Sequence, residues 1–168
     1  MKHLLIQKTH LSGLVVIQRQ ELFDTRGYFS RLYCADELLS IGLTLHIAQI
    51  NQTFTKSKGT VRGLHFQRHP HSEDKIVSVI RGEVFDVAVD LRRDSPTYLN
   101  WYGELLSEGN KKSLLVPRGF AHGFQTLADN CELIYLHTYP YMPESEDGLR
   151  ADDPSLSISW PLTISEIS

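Results

Sequence analysis

The sequence predicts an all-β fold, a sandwich or a barrel, on three observations. Apolar and polar residues alternate through many short runs. Turn-forming residues separate those runs at regular intervals. Helical periodicity is scarce. In chain order, strands are expected over residues 14–17, 28–33, 47–54, 76–80, 84–91, 113–116, 124–127 and 132–138. Arg81-Gly82-Glu83 joins two of these runs and predicts a hairpin, and Asp94-Ser95-Pro96-Thr97 predicts a turn. The best helix candidate is short, residues 35–41, ended by Gly42. The tail, from Asp152-Asp153-Pro154 to Trp160-Pro161, reads as irregular chain packed across a barrel end or onto a second subunit. No repeat, linker or low-complexity block divides the chain, so residues 1–168 are expected to form one domain.

Composition narrows the function classes. Of 168 residues, 41% are hydrophobic and 22% charged, which suits a buried core and excludes a disordered chain. The net charge of −3 argues against nucleic acid as a partner, while local basic groups still permit a small anionic ligand. Cys34 and Cys131 lack CxxC spacing and read as ordinary thiols of a reducing compartment. No apolar run reaches the ~18 residues a membrane span needs, and the first residues turn polar too soon for a secretory signal. A cytoplasmic protein with no membrane partner is the expectation.

Two histidine motifs carry the chemistry. The first is Arg62-Gly63-Leu64-His65-Phe66-Gln67, the second Pro117-Arg118-Gly119-Phe120-Ala121-His122-Gly123-Phe124. A β-rich run from Lys75 to Asp90 lies between them. The layout resembles a cupin jelly-roll β-barrel with a few short helices, whose two motifs bring histidines into one cavity. A metal-binding cupin offers His-x-His and then an acidic residue in its first motif. Here those places hold His65, Gln67 and Lys75, and an ammonium opposes a cation. No metal and no other cofactor is expected.

Further segments follow in order: Asp24-x-Arg26-Gly27-x-Phe29, Gln49-x-Asn51, Gly82-Glu83-Val84-Phe85-Asp86-Val87, Tyr135, Tyr141 and Glu146. With the two histidine motifs and Lys75, they resemble the dTDP-4-dehydrorhamnose 3,5-epimerase family over roughly residues 14 to 161. The resemblance implies a homodimer acting on a nucleotide-diphosphate 4-keto-6-deoxyhexose. Inverting a carbon beside a ketone requires a base, a group that holds the enolate oxygen, and an acid on the other face. By resemblance His65 is the base, Lys75 holds the C4 oxygen and Tyr135 is the acid. His122 and Arg62 would bind sugar or diphosphate, and Tyr141 would stack on the nucleobase. Arg26, Gln49, Asn51 and Glu146 match nucleotide and sugar contacts. Gln49 and Asn51 also share a strand face by period two. His46, His69, His71 and His137 are read as carrying no chemistry.

Two departures from the family pattern stand out. Arg31 occupies a place where the family commonly has Glu. Thymine presents an N3–H donor that suits a carboxylate, and cytosine an acceptor that suits arginine, so Arg31 is a candidate for base specificity. Ser168 stands where an Asp often orients the catalytic histidine, and Asp86 is the candidate substitute. The alternatives are a single-centre epimerase on a CDP- or other nucleotide sugar, a nucleotide-sugar ketoisomerase, a metal-dependent oxygenase and a non-catalytic sugar-nucleotide binding module.

Overall fold

The computed structural model describes residues 3–40 and 42–168. Among these, the strands are β1 (Leu4–Lys8), β2 (Val15–Arg19), β3 (Glu21–Asp24), β4 (Gly27–Ser30), β5 (Gln49–Thr55), β6 (Thr60–Gln67) and β7 (Lys75–Arg81). They continue as β8 (Glu83–Asp90), β9 (Trp101–Ser107), β10 (Lys112–Val116), β11 (Phe120–Thr126), β12 (Cys131–His137), β13 (Glu146–Gly148) and β14 (Glu166–Ile167). One helix, α1 (Ala35–Leu39), and a 3-10 turn at Pro143–Ser145 complete the set. Ile41, which the sequence reading placed at the helix end, lies outside the described residues.

One sheet has the order β1-β2-β10-β7-β12-β5, the other β13-β6-β11-β8-β9, with β14 also beside β6. Val77, Val79, Leu114 and Leu133 of the first sheet pack against Val84, Ala88, Phe120 and Phe124 of the second. Each of the larger side chains, Val, Leu or Phe, contributes about 1.5–3 kcal/mol when fully buried. This is a cupin-type jelly roll, as expected. Both sheets are covered on their outer faces as well. Leu38 of α1 and the chain around Tyr33 and Ile47 cover Ile17, Ile76 and Leu115. Leu156, Ile158 and Trp160 of the tail cover Val87, Val89 and Ala121. The tail therefore packs on a sheet face rather than across the barrel end.

The expected hairpin at Arg81-Gly82-Glu83 does not form. β7 pairs with β10 and β12, whereas β8 pairs with β9 and β11. Gly82, at φ +81°, turns the chain from one sheet into the other, and a Cβ there would sit 2.7 Å from Cys131 Sγ. The turn after β8 is as expected. Asp90, fully buried, accepts hydrogen bonds from Arg92 Nε (2.8 Å), Ser95 Oγ (2.6 Å) and Thr97 Oγ1 (2.7 Å), which ties that loop to the strand end. The strand expected over residues 28–33 stops at Ser30, because β4 pairs only with β3 in a hairpin outside both sheets.

Candidate active site

A cavity of about 310 Å³ opens between the two sheets. It gathers eight residues read from the sequence: Asn51, Arg62, His65, Lys75, His122, Tyr135, Tyr141 and Glu146. Strand periodicity explains most of these placements. Tyr135 follows Leu133 by two residues on β12, and Lys75 precedes Val77 and Val79 by the same step on β7, so all face the interior.

Arg62 and His65 need another device. Three residues apart, they would point to opposite faces of a regular strand. In the pairing of β6 with β11, His65 stands opposite His122 but Arg62 opposite Phe124. Three residues of β6 thus span two of β11, which is a β-bulge. Gly63 forms it at φ +112°, with Gly123 directly across. The extra residue returns both Arg62 and His65 to the cavity.

The two residues read from the sequence as base and acid lie on different sheets, His65 on β6 and Tyr135 on β12, with the cavity between them. Burial lowers the pKa of His65, as do Lys75, His122 and Arg62, against an upward pull from Glu146. The imidazole is therefore neutral, and free to accept a proton, near pH 7. Burial pushes the Tyr135 phenol far above its ordinary value, and Asp86 adds to this, with Thr53 and Arg62 opposing. The phenol therefore stays protonated and available to donate. Its ring meets that of His122 edge-on, centroids 6.2 Å apart, and stacks on that of His137 at 6.0 Å.

Asp86 does not orient His65. It lies on β8, next to β11, and its Oδ1 accepts from His122 Nε2 at 2.8 Å with both side chains buried. The bond sets the His122 tautomer. Among the described residues the His65 ring has no hydrogen-bond partner; β14, parallel to β6, carries Ser168 to the same cavity wall.

Gln49 does not line the cavity; its Oε1 accepts from the Tyr141 N–H at 3.1 Å and so holds the tyrosine segment. Tyr141 in turn donates to Glu146 Oε2 at 2.6 Å. Gln67, at the metal-ligand place of a metal cupin, is a strut. Its amide donates to the carbonyls of His71 and Pro140, and its Oε1 accepts from the Met142 N–H. Among the described residues no three His, Cys, Asp or Glu side chains converge as a metal site.

Arg26 and Arg31 do not reach the cavity within this chain. Arg26 sits in the turn between β3 and β4, its guanidinium exposed and paired with Asp24 at 2.6 Å. Arg31 donates to Glu37 Oε1 at 2.7 Å and lines a separate apolar hollow with Tyr33 and Ile50. A base-reading role for Arg31 has no geometric support here, because its charge is already neutralised beside α1. Conversely, Glu73 and His137 line the cavity and were not read as functional. His137 was legible, two residues after Tyr135 on one strand face. Glu73 lies in a loop, where no periodicity points to it.

Residues 8–168 match the family described as dTDP-4-dehydrorhamnose 3,5-epimerase. The chain belongs to that family. It is 44% identical to the dTDP-4-dehydrorhamnose 3,5-epimerase of Methanothermobacter thermautotrophicus over 155 residues, covering 92% of this chain and 83% of the relative. The crystal structure of that enzyme from Bacillus anthracis, with TDP and pyrophosphate bound, superposes with a TM-score of 0.95. It shares 36% identity, covering 98% of this chain and 94% of the other. A Legionella pneumophila homologue in complex with dTDP-4-keto-L-rhamnose gives 0.92 at 40% identity, covering 98% and 88%.

Proposed function

We propose that the chain epimerises a dTDP-linked 4-keto-6-deoxyhexose at C3 and C5 without a metal. The observation that carries this reading is a neutral imidazole and a protonated phenol on opposite walls of one cavity, with a buried ammonium beside them. His65 removes the proton from a carbon next to the C4 ketone. The bonding electrons move onto the C4 oxygen, and the Lys75 ammonium holds the resulting enolate. Tyr135 delivers a proton to the carbon from the other face, and the electrons return from oxygen to carbon. The phenolate and the imidazolium then exchange protons with solvent. Arg62 suits the diphosphate, since its forked donors match phosphate oxygens. His122, Asn51 and Glu146 line the sugar and nucleotide path, and Tyr141, half exposed at the rim, stacks on the base. NMR of dTDP-4-keto-6-deoxyglucose incubated with the protein tests the proposal: inverted products support it, and unchanged substrate refutes it.

One observation favours a second reading. Ser168, whose side chain is a hydroxyl and not a carboxylate, lines the cavity with a His65 that lacks a ring partner among the described residues. A less firmly oriented base would serve one centre better than two, giving a single-centre epimerase. Product carrying inversion at one carbon only, after prolonged incubation, would select it.

The same proposal includes a homodimer, one catalytic domain per chain and a cytoplasmic setting. The dimer is supported by exposed Phe23, Tyr28 and Phe29 on the β3–β4 hairpin and by Ile50 and Phe54 on edge strand β5. Light scattering at twice the chain mass is the expected result. No helix among the described residues is long and apolar enough to cross a membrane.

A further inference from the structure

The enolate-holding role of Lys75 needs an ammonium that stays charged in a buried place. Its side chain is only 9% exposed, and a buried cation without an anion is strongly disfavoured. The anion is Glu73, itself 8% exposed, whose Oε1 lies 3.1 Å from Lys75 Nζ. Its other oxygen, Oε2, accepts from His137 Nδ1 at 3.0 Å and from Gln67 Nε2 at 3.4 Å. Both carboxylate oxygens are thus committed, and all three partners stand on the cavity wall. Burial works against the charge on Glu73. The hydrogen bond from His137 and the nearness of Lys75 outweigh it and hold the carboxyl below its usual range.

The surroundings offer no replacement. Asp74, the intervening residue, is taken by Arg118 at 2.7 Å. Across β10, Lys75 pairs with apolar Val116; across β12 it pairs with His137. The remaining titratable groups facing the cavity are Arg62 and His65 from β6, His122 from β11, Tyr135 from β12, Tyr141, and Glu146 from β13. Among the side chains of these described residues only Glu146 supplies an anion, and it accepts from Tyr141.

We infer that Glu73 is a positioning residue for the reaction, the counter-ion that keeps Lys75 charged and aimed at the enolate oxygen, with His137 fixing its second oxygen. The inference rests on Lys75 being the enolate-holding group. It has a kinetic signature that a purely structural carboxylate lacks. Without its anion, Lys75 loses its proton at lower pH, so the alkaline limb of kcat moves down.

The test is the pH profile of Glu73→Gln, which keeps the side-chain size and removes the charge. An opposite charge at this distance shifts a partner by about 1–3 pH units, so the limb should fall by about one unit or more. At pH above the wild-type limb, kcat should drop about tenfold or more while KM stays within about twofold, because the diphosphate and base contacts are untouched. If Glu73→Gln does not fold, Glu73→Asp, which retracts the charge by one methylene, should show a smaller shift in the same direction. In a Lys75→Arg background, Glu73→Gln should leave the limb in place, since a guanidinium stays charged without help. A Glu73→Gln profile that superimposes on wild type overturns the inference. Lys75→Met separates the two levels. Full activity in that variant overturns the role of Lys75 itself; an inactive Lys75→Met beside a normal Glu73→Gln overturns only the inference.

Discussion

Replacing Gly63 by alanine forces apart two strands that the cavity needs in register. A Cβ at Gly63 would lie 2.6 Å from both Gly123 Cα and the His122 carbonyl oxygen, and all three atoms belong to the backbone or are fixed to it. Ordinary contact begins at 3.4 Å, so β6 and β11 must separate by roughly 0.8 Å at the bulge. The φ of +112° adds strain of its own. Backbone strain of about 1–3 kcal/mol and overpacking of similar size give a loss of about 2–6 kcal/mol. Against a total stability of about 5–15 kcal/mol, the variant should still fold at low temperature. Its cost in rate is separate. His65 lies two residues beyond the bulge, and a displacement of about 1 Å can reduce the rate about a hundredfold. Urea titration read by tryptophan fluorescence gives the first quantity, and kcat on folded protein at low temperature the second. Wild-type stability together with wild-type kcat would refute the bulge argument.

Other consequences are equally direct. Because His65 must be neutral to accept a proton and its pKa is lowered, kcat/KM should rise with pH through a midpoint below the ordinary value of about 6.5; a midpoint above that value would contradict the assignment of burial as the cause. Asp86→Ala leaves the buried His122 N–H without its 2.8 Å acceptor, so unfolding free energy should fall by about 1–3 kcal/mol and substrate binding should weaken, as measured by denaturation and calorimetry. Asp90 is held ionised by Arg92, Ser95 and Thr97 against burial, so its folded pKa is depressed. Its stabilisation is present above the unfolded carboxylate value and lost as pH falls below it; Asp90→Asn should show a shallower acid-induced loss of stability than wild type. Exhaustive chelation should leave turnover intact, and activity that disappears and returns with one particular metal would overturn the metal-free mechanism.

The alternation of β12 made Tyr135 legible as an interior residue, and the same period would have exposed His137, whereas Lys75, at the start of the apolar run of β7, was recognised by resemblance. The cavity partners Arg62 and His65 were recognised by resemblance, while their shared face depends on a bulge that the strand period alone denies. Gly63 was the available sign, since a glycine within a strand often marks a bulge. The partition of β7 and β8 between sheets was not legible. A glycine between two apolar runs serves a hairpin and an inter-sheet corner equally well, and the long-range pairing with β9 to β12 decides. Asp86 was assigned to the wrong histidine for a similar reason: its neighbour in space is set by the β8–β11 register, which the sequence does not print. Glu73, in a loop, carries no periodic signal at all.

The central claim is that one base and one acid on opposite cavity walls move a carbon-bound proton. Solvent-deuterium wash-in tests it most directly. With a dTDP-4-keto-6-deoxy sugar in heavy water, the wild-type protein should incorporate deuterium at C3 and C5. His65→Asn should bind the substrate yet incorporate none, one positioned base being worth roughly 10²–10⁴-fold. Tyr135→Phe should retain some exchange while losing net inversion. Deuterium entering at the wild-type rate in His65→Asn would contradict the account.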